Sequence, residues 1–307
     1  MEYRGVHSAL CTPFTPGGAS VDHEALAKLV EDQIQHGIHG LVACGSTGEF
    51  AALSGAERRA VVETVVRTVR GRVPVTVGVG AMTTAEAVSL ARHAREVGAD
   101  AVMLVGPYYE PLREEELVAH FEAVALDGGL PVMIYNNPAG TGYSMSPQLI
   151  ARLASIPGVV ALKDTTSEIR RLYEIQALCG KRLQLLNGQD TLQFLGFVLG
   201  TRASVWGAAN ATPYHCALLY DLVVVKNDVA GARRLWEKLY PINYLFETEG
   251  YVAAVKAGAA LRGVPVGDPR PPIKPLGEEP RARLRELMAA LDRAFPVERG
   301  GPVAQSR

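Results

Sequence analysis

The sequence predicts an α/β protein of the (β/α)8 type, a TIM barrel with a C-terminal helical extension. Up to residue 210, eight apolar strand-like runs alternate with helix-like stretches, and the chain then continues as helices alone. Strict alternation of strand and helix implies parallel strands joined by right-handed crossovers. Eight such units favour a closed barrel over an open doubly wound sheet, which usually has about five or six strands.

The predicted strands are short apolar runs that end in polar or turn-forming residues. They cover residues 8–14, 40–45, 73–80, 101–107, 131–138, 159–166, 183–190 and 203–210. Runs that lack polar alternation are typical of strands buried on both faces. The barrel is therefore expected to be filled by its own side chains.

Helices are predicted where a short polar side chain can accept hydrogen bonds from the first N–H groups of a helix. The predicted N-caps are Asp22, Ser54, Thr83 or Thr84, and Ser146, for helices that end near residues 35, 69, 97 and 154. Glycines that would suit left-handed C-caps are Gly37, Gly71, Gly98 and Gly180.

The remaining helices are predicted at 211–226, 229–245, 251–262 and 281–295. The last of them has one apolar face, made of Leu284, Leu287, Met288, Leu291 and Phe295. That face is expected to pack against the barrel or another subunit. We expect a barrel over residues 1–225, a C-terminal helical region over 226–296 and a flexible tail over 297–307.

Composition favours a protein that acts on small molecules over one that binds nucleic acid or a membrane. The net charge of -1 gives no electrostatic reason to expect nucleic acid or an anionic membrane as partner. The four cysteines form no C-x-x-C pair or Cys/His cluster, which indicates neither a zinc site nor a disulfide framework. The chain shows no secretory signal and no run of about 18 apolar residues. A soluble cytoplasmic protein is expected.

Lys163 is the first candidate for chemistry. It follows the apolar run that begins at Val159, so a lysine stands where a buried strand turns polar. Burial lowers the pKa of an amine, and a neutral amine can form a Schiff base with a carbonyl compound. The alternative is a lysine whose head reaches solvent at a strand end.

Other polar groups follow neighbouring strands, at the end of a barrel where active sites lie. Ser46 and Thr47 stand between two glycines, a pattern typical of an anion-binding nest, although the same residues also form ordinary turns. Tyr135 precedes Lys163 by one strand and could pass a proton within a hydrogen-bonded chain. A core tyrosine with a satisfied hydroxyl is the alternative.

Other chemistries have weaker support. The seven histidines are scattered; His36 and His39 near Asp32 could be imagined as metal ligands, but a solvated helix end explains them. No Gly-x-Ser-x-Gly motif supports serine hydrolase chemistry. We therefore expect no metal and no organic cofactor.

Six motifs in order resemble the dihydrodipicolinate synthase/N-acetylneuraminate lyase superfamily of Schiff-base-forming aldolases and dehydratases. They are Gly45-Ser46-Thr47-Gly48-Glu49, Pro107-Tyr108-Tyr109, Tyr135-Asn136-x-Pro138, Leu162-Lys163-Asp164, Gly188 to Asp190, and Arg270-Pro271-Pro272. The resemblance covers nearly the whole chain. It implies the (β/α)8 fold, a 2-oxo acid substrate and a homotetramer built as a dimer of dimers.

The resemblance also implies roles for single residues. Lys163 would form the Schiff base, Tyr135 would relay protons with the Ser46 hydroxyl, and Tyr109 would reach the site of a neighbouring subunit. Substrate-binding residues are expected to be Ser46, Thr47, Gly140, Gly188, Gln189, Asp190, Val205 and Trp206. Trp206 is placed at the floor or wall of the pocket, where it could narrow the site, stack on the substrate or serve in packing.

Gly140 departs from the synthase pattern. Dihydrodipicolinate synthases have an arginine at this position, and that arginine binds the carboxylate of the second substrate. Glycine cannot replace a bidentate, charge-assisted contact. The residues at Gln189-Asp190-Thr191 likewise differ from those of the sialic acid lyases. Dihydrodipicolinate synthesis is therefore not expected to be the main role.

The sequence thus predicts a class I lyase or aldolase that acts on pyruvate or a 3-deoxy-2-oxo sugar acid through a lysine Schiff base. Alternatives within this chemistry are a 4-hydroxy-tetrahydrodipicolinate synthase that condenses pyruvate with aspartate semialdehyde, and a 2-oxo-3-deoxy acid dehydratase. A metal-dependent aldolase would need a cluster of histidines and acids at the strand ends. A non-catalytic binding barrel is the alternative from a different class.

Overall fold

A computed structural model describes residues 2–110 and 112–297 as a closed barrel of eight parallel strands in sequence order. The (β/α)8 fold with C-terminal helices is confirmed. The strands are β1 Gly5–Ala9, β2 Gly40–Ala43, β3 Val75–Gly78, β4 Ala101–Val105, β5 Val132–Asn136, β6 Val159–Asp164, β7 Gln184–Asn187 and β8 Ala203–Trp206.

Helices cover the outside of the barrel and extend beyond it. They are α1 His23–Gln35, α2 Gly55–Val69, α3 Thr84–Glu96, α4 Glu114–Gly128, α5 Pro138–Thr141, α6 Pro147–Leu153, α7 Ile169–Cys179, α8 Gln193–Val198, α9 Pro213–Tyr220, α10 Val229–Thr248, α11 Tyr251–Leu261 and α12 Glu278–Ala294. Short 3-10 turns occupy Pro16–Gly18, Phe50–Ala52, Gly180–Arg182, Asp190–Leu192 and Ala208–Asn210, and a π-helical turn spans Asp221–Val225.

The predicted N-caps are confirmed. Asp22, Ser54, Thr83 and Ser146 each accept a hydrogen bond from a backbone N–H in the first turn of their helix. Ser54 also forms a capping box with Glu57. Each such bond satisfies an N–H that the helix itself cannot pair.

The predicted strands are right in number and order, but most extend too far. Strand β1 is the largest error, since it was predicted at 8–14 and runs from Gly5 to Ala9. The Leu10 N–H still donates to the Val42 carbonyl at 3.0 Å, and beyond it the chain leaves the ladder. Thr12 Oγ1 donates to the Gly48 carbonyl, and Phe14 donates its N–H to the Val266 carbonyl and forms an isolated bridge with Val21. The extra residues that follow the strands form the loops at the barrel mouth.

Two layers of buried side chains build the core. One layer fills the barrel interior and includes Met103, Tyr135, Ala161 and Val205. The other lies between strands and helices. Because side chains alternate across a strand, neighbouring residues belong to different layers.

The apolar face of α12 packs within the chain. Leu284, Met288 and Leu291 are buried, and α12 contacts α10 and α11. Within the described ranges, no helix combines the length and hydropathy needed to cross a membrane. The tail expected over 297–307 lies outside the described residues except for Val297.

Candidate active site

Lys163 points into the barrel near the C-terminal end of β6. Ala161 belongs to the interior layer and Leu162 to the outer layer, so Lys163 faces inward by alternation. Its side chain is 6% exposed. An added Cβ at Gly188 would lie 2.6 Å from the Lys163 Cε, so this glycine leaves the room that the lysine side chain needs.

Tyr135 lies beside Lys163 on the neighbouring strand. The two residues are register partners between β5 and β6, and Tyr135 also pairs with Val105 of β4. The Lys163 Nζ lies 4.1 Å from the centre of the Tyr135 ring. The two groups that the sequence assigned to the Schiff base and the proton relay are therefore in contact.

The loop Gly45–Gly48 leaves several hydrogen-bond donors unused. Its own turns take up the N–H groups of Gly48 and Glu49, which donate to Gly45 and Ser46 carbonyls at 3.0 Å. Among the described residues, neither the backbone N–H groups nor the hydroxyls of Ser46 and Thr47 have a hydrogen-bond partner. Two N–H and two O–H donors are thus free to bind an anion.

A buried ion pair fixes the end of this loop. Glu49 has left-handed backbone geometry, with φ of 54°, and its carboxylate lies 2.6 Å from the Lys256 Nζ of α11. The same carboxylate accepts the Arg270 backbone N–H at 2.9 Å. Sequence reasoning missed Lys256, although a single charged residue in the apolar segment Tyr251–Leu261 was a signal for it.

Asp190 is held by the end of β8 and by α11. It accepts hydrogen bonds from the Gly207 and Ala208 N–H groups at 3.4 and 2.9 Å and from the Tyr251 hydroxyl at 2.7 Å. Burial raises the pKa of Asp190 to about 7, against the opposing effect of the Tyr251 hydrogen bond. Burial and the nearby Asp190 charge raise the pKa of Tyr251.

Tyr251 was not singled out in the sequence. A tyrosine in the first turn of a helix has many ordinary explanations, and its partner lies 61 positions away in the chain. Gln189, next to Asp190, is partly buried, and its carbonyl accepts a hydrogen bond from the Asn187 side chain at 2.8 Å.

Trp206 does not line the pocket, so its predicted place is wrong. Val205 faces the barrel interior, and alternation turns Trp206 outward into the helix layer. It is fully buried there, with its ring 6.2 Å from the ring of Trp236 in α10. Trp206 is a packing residue between strand and helix.

Tyr109 and Gly140 stand at the barrel mouth. The Tyr109 side chain is 86% exposed, while the Tyr108 ring packs edge-on against Phe50 at 5.9 Å. Gly140 is an exposed residue of the short helix α5. Tyr109 is thus available to another molecule.

A cavity of about 270 Å³ opens at this mouth. It is lined by Ser46, Glu49, Phe50, Ala51, Ala52, Val105, Tyr108, Asn137, Gly140, Thr141, Val252 and Ile273. A larger cavity of about 380 Å³ lies at the opposite end, next to the starts of β7 and β8. Chemistry in this fold occurs at the C-terminal ends of the strands, so the smaller cavity belongs to the candidate site.

Known proteins resemble this chain in architecture and in sequence. The model of the dihydrodipicolinate synthetase family matches residues 2–291. The chain belongs to this family. A relative from Pelobacter propionicus, named 4-hydroxy-tetrahydrodipicolinate synthase, is 38% identical over 286 residues, which are 93% of this chain and 98% of the relative. A relative of the same name from Magnetococcus marinus is 39% identical and covers 94% and 98% of the two chains.

Solved structures of the family have the same fold. A prophage protein of the dihydrodipicolinic acid synthase family from E. coli K12, solved with pyruvate, aligns with a TM-score of 0.90 and 32% identity over 95% of this chain and 99% of that chain. Dihydrodipicolinate synthase from Aquifex aeolicus aligns with a TM-score of 0.89 and 31% identity over 96% and 100%. Membership makes this chain a Schiff-base-forming lyase of the class I aldolase type.

Proposed function

We propose that this family member binds a 2-oxo acid of the pyruvate type as a Schiff base on Lys163 and makes or breaks a bond at C3 of that acid. The observation that carries the proposal is the buried Lys163 amine against the Tyr135 ring at the C-terminal end of the barrel. A lysine is rarely buried without a charge partner unless its amine has a chemical task.

The free donors of the Ser46–Thr47 loop support binding of the substrate carboxylate. The backbone N–H groups and the hydroxyls of Ser46 and Thr47 are four donors that can bind an anion through hydrogen bonds. With the carboxylate bound there, the neighbouring C2 carbonyl is the group presented to Lys163. We therefore assign carboxylate binding to Ser46 and Thr47.

The Lys163 amine determines the type of reaction. Lys163 attacks the C2 carbonyl, water leaves, and the resulting iminium withdraws electrons from C3. Tyr135 is assigned the proton transfers that accompany loss of water, since its ring already contacts the amine. Exposed Tyr109 is assigned to the site of a neighbouring subunit in a homotetramer.

Two substrate classes compete within this chemistry. The names of relatives that are 38 and 39% identical favour 4-hydroxy-tetrahydrodipicolinate synthesis. Gly140 offers no charge for a second carboxylate. It therefore favours cleavage or formation of a 2-oxo acid whose non-pyruvate part carries no charge next to Gly140. Of the two, we propose the latter as the main activity.

A substrate panel tests the proposal. Purified enzyme is supplied with 4-hydroxy-2-oxo acids and 3-deoxy-2-oxo sugar acids, and pyruvate release is followed with a coupled reductase. We expect release from at least one compound and its loss in Lys163→Arg, which keeps charge and length but not nucleophilicity. Faster condensation of pyruvate with aspartate semialdehyde than any cleavage would instead establish the synthase activity.

A further inference from the structure

The cavity at the barrel mouth has an apolar wall to which no role has yet been assigned. Six of its side chains are apolar: Phe50, Ala51, Ala52, Val105, Val252 and Ile273. They come from the loop after β2, the end of β4, the start of α11 and the segment before α12. These parts of the fold are far apart in sequence, and together they form one apolar surface.

The cavity is next to the proposed Schiff base. Val105 is the register partner of Tyr135, which is in turn the register partner of Lys163. Neighbouring strands are about 4.8 Å apart, so the Val105 backbone lies about 10 Å from that of Lys163. A molecule in the cavity can therefore reach the C3 atom of an acid bound to the lysine.

The cavity offers no counter-charge to a second anion. Its one charged lining residue, Glu49, is acidic and is paired with Lys256. The nearby Arg270 guanidinium is also occupied, because it binds the Glu57 carboxylate at 2.7 and 3.0 Å and the Gly18 and Ala52 carbonyls. Both basic groups next to this wall already have partners.

A carboxylate in this cavity would lose hydration without gaining a charge-assisted hydrogen bond. An uncharged chain would instead gain from the apolar wall. The neutral polar groups of Tyr108 and Asn137 remain for a carbonyl or hydroxyl oxygen. The lining thus favours an uncharged molecule over an anionic one.

We propose that this cavity is the subsite for the second reactant, and that this reactant is an aldehyde with a short, uncharged, largely apolar chain. The proposal rests on the Schiff-base function above and specifies its substrate class. The iminium on Lys163 loses a proton from C3 to give an enamine, and C3 then forms a bond to the aldehyde carbon.

The remaining steps balance without a further reactant. The electron pair of the aldehyde C=O bond moves to its oxygen, which takes up a proton. The iminium that is restored is hydrolysed by one water molecule, which replaces the water lost when it formed. A 4-hydroxy-2-oxo acid is released and the Lys163 amine is regenerated. Cleavage follows the same steps in reverse.

The test compares two aldehydes of equal carbon number that differ in charge. Pyruvate is condensed with butanal or with 4-oxobutanoate, and kcat/KM is measured for each. We expect butanal to be favoured by about tenfold or more, since the carboxylate has no partner in the cavity. Trapping of pyruvate on the enzyme with borohydride is measured in the same preparation.

A pair of variants supplies the control. Gly140→Arg places a cation at the cavity wall, and Gly140→Gln places a neutral side chain there. In both, an added Cβ would approach the Asn137 Nδ2 to 2.4 Å, so the same shift of Asn137 is required. Relative to the glutamine variant, the arginine variant should raise the preference for 4-oxobutanoate about tenfold.

The outcomes separate the two proposals. If pyruvate is trapped but 4-oxobutanoate is the better substrate, or if no uncharged aldehyde is consumed, the assignment of the cavity is wrong and the Schiff-base function stands. If pyruvate is not trapped at all, the Schiff-base function itself is wrong.

Discussion

Lys256 Nζ lies 2.6 Å from the buried carboxylate of Glu49, so helix α11 holds the end of the loop that carries Ser46 and Thr47. Lys256 also stacks on the Phe14 ring at 4.2 Å and donates to the Asp268 carbonyl at 3.1 Å. The C-terminal helices therefore position part of the candidate active site, besides covering the barrel.

Replacing Lys256 should destabilise the protein and weaken substrate binding. Lys256→Met leaves the Glu49 carboxylate buried without its cation, which costs about 3–5 kcal/mol in the free energy of unfolding. The loosened loop should raise KM for pyruvate more than it lowers kcat. Urea unfolding and steady-state kinetics measure the two effects.

A double variant separates charge from packing in this test. Glu49→Gln combined with Lys256→Met removes both charges and should recover part of the lost stability. Lys28→Met, which removes the exposed ion pair with Glu24, should leave stability unchanged. Equal stability of Lys256→Met and the wild type would show that the ion pair does not anchor the loop.

Asp190 should make stability depend on pH. Its folded-state pKa of about 7 lies above its unfolded value of about 3.9, so the folded state binds the proton more tightly. This contribution is fully present below pH 4 and is lost as pH rises through about 7. Between these values, the free energy of unfolding should fall by up to about 1.4 kcal/mol per pH unit on account of Asp190.

Asp190→Asn isolates this effect. The variant cannot ionise, so its unfolding free energy should change less with pH than that of the wild type between pH 5 and 7. Urea titrations at several pH values give the comparison. Parallel pH profiles of the two proteins would mean that Asp190 keeps an ordinary pKa in the folded state.

Trp206 should affect stability but not substrate choice. It packs outside the barrel against Trp236, so Trp206→Ala should lower the free energy of unfolding by about 3–5 kcal/mol. In Trp206→Phe, which keeps an aromatic ring, the ratio of kcat/KM between two substrates should equal the wild-type ratio. A changed ratio of kcat/KM would show that Trp206 contributes to the wall of the substrate pocket.

Tyr109 should act in a neighbouring subunit. Its side chain is 86% exposed, so Tyr109→Phe should leave the free energy of unfolding within about 0.5 kcal/mol of the wild type. Activity should fall if the hydroxyl belongs to the proton relay. Refolding of a mixture of Tyr109→Phe and Lys163→Ala chains should then restore activity, because some sites combine both intact residues. Low activity of Tyr109→Phe with no gain on mixing would contradict a role for Tyr109 in a neighbouring subunit.

The sequence predicted the barrel well because local patterns determine it. Alternating strands and helices gave the topology, and polar residues such as Asp22 and Ser54 marked helix starts by a bond within one turn. Strand ends were less accurate, since the loops that follow take backbone conformations set by distant contacts. Cys44 and Glu49, both with positive φ, lie in such a loop.

The site was predicted in part for the same reason. Lys163 and Tyr135 meet because adjacent parallel strands bring their C-terminal ends together. The error at Trp206 was avoidable, as alternation allows only one of Val205 and Trp206 to face inward. Lys256 stood out as the single charged residue of an apolar helix, but its partner Glu49, like the Asp190 partner of Tyr251, is set by the docking of α11 on the barrel.

Trapping with borohydride identifies the residue that forms the Schiff base with pyruvate. Enzyme is incubated with pyruvate and borohydride, digested, and mapped by mass spectrometry, with Lys163→Arg and Lys256→Arg as matched controls. We expect one reduced pyruvyl group on the peptide that contains Lys163, present in the Lys256 variant and absent from the Lys163 variant. An unmodified Lys163 with full enzymatic activity would contradict the Schiff-base role of Lys163.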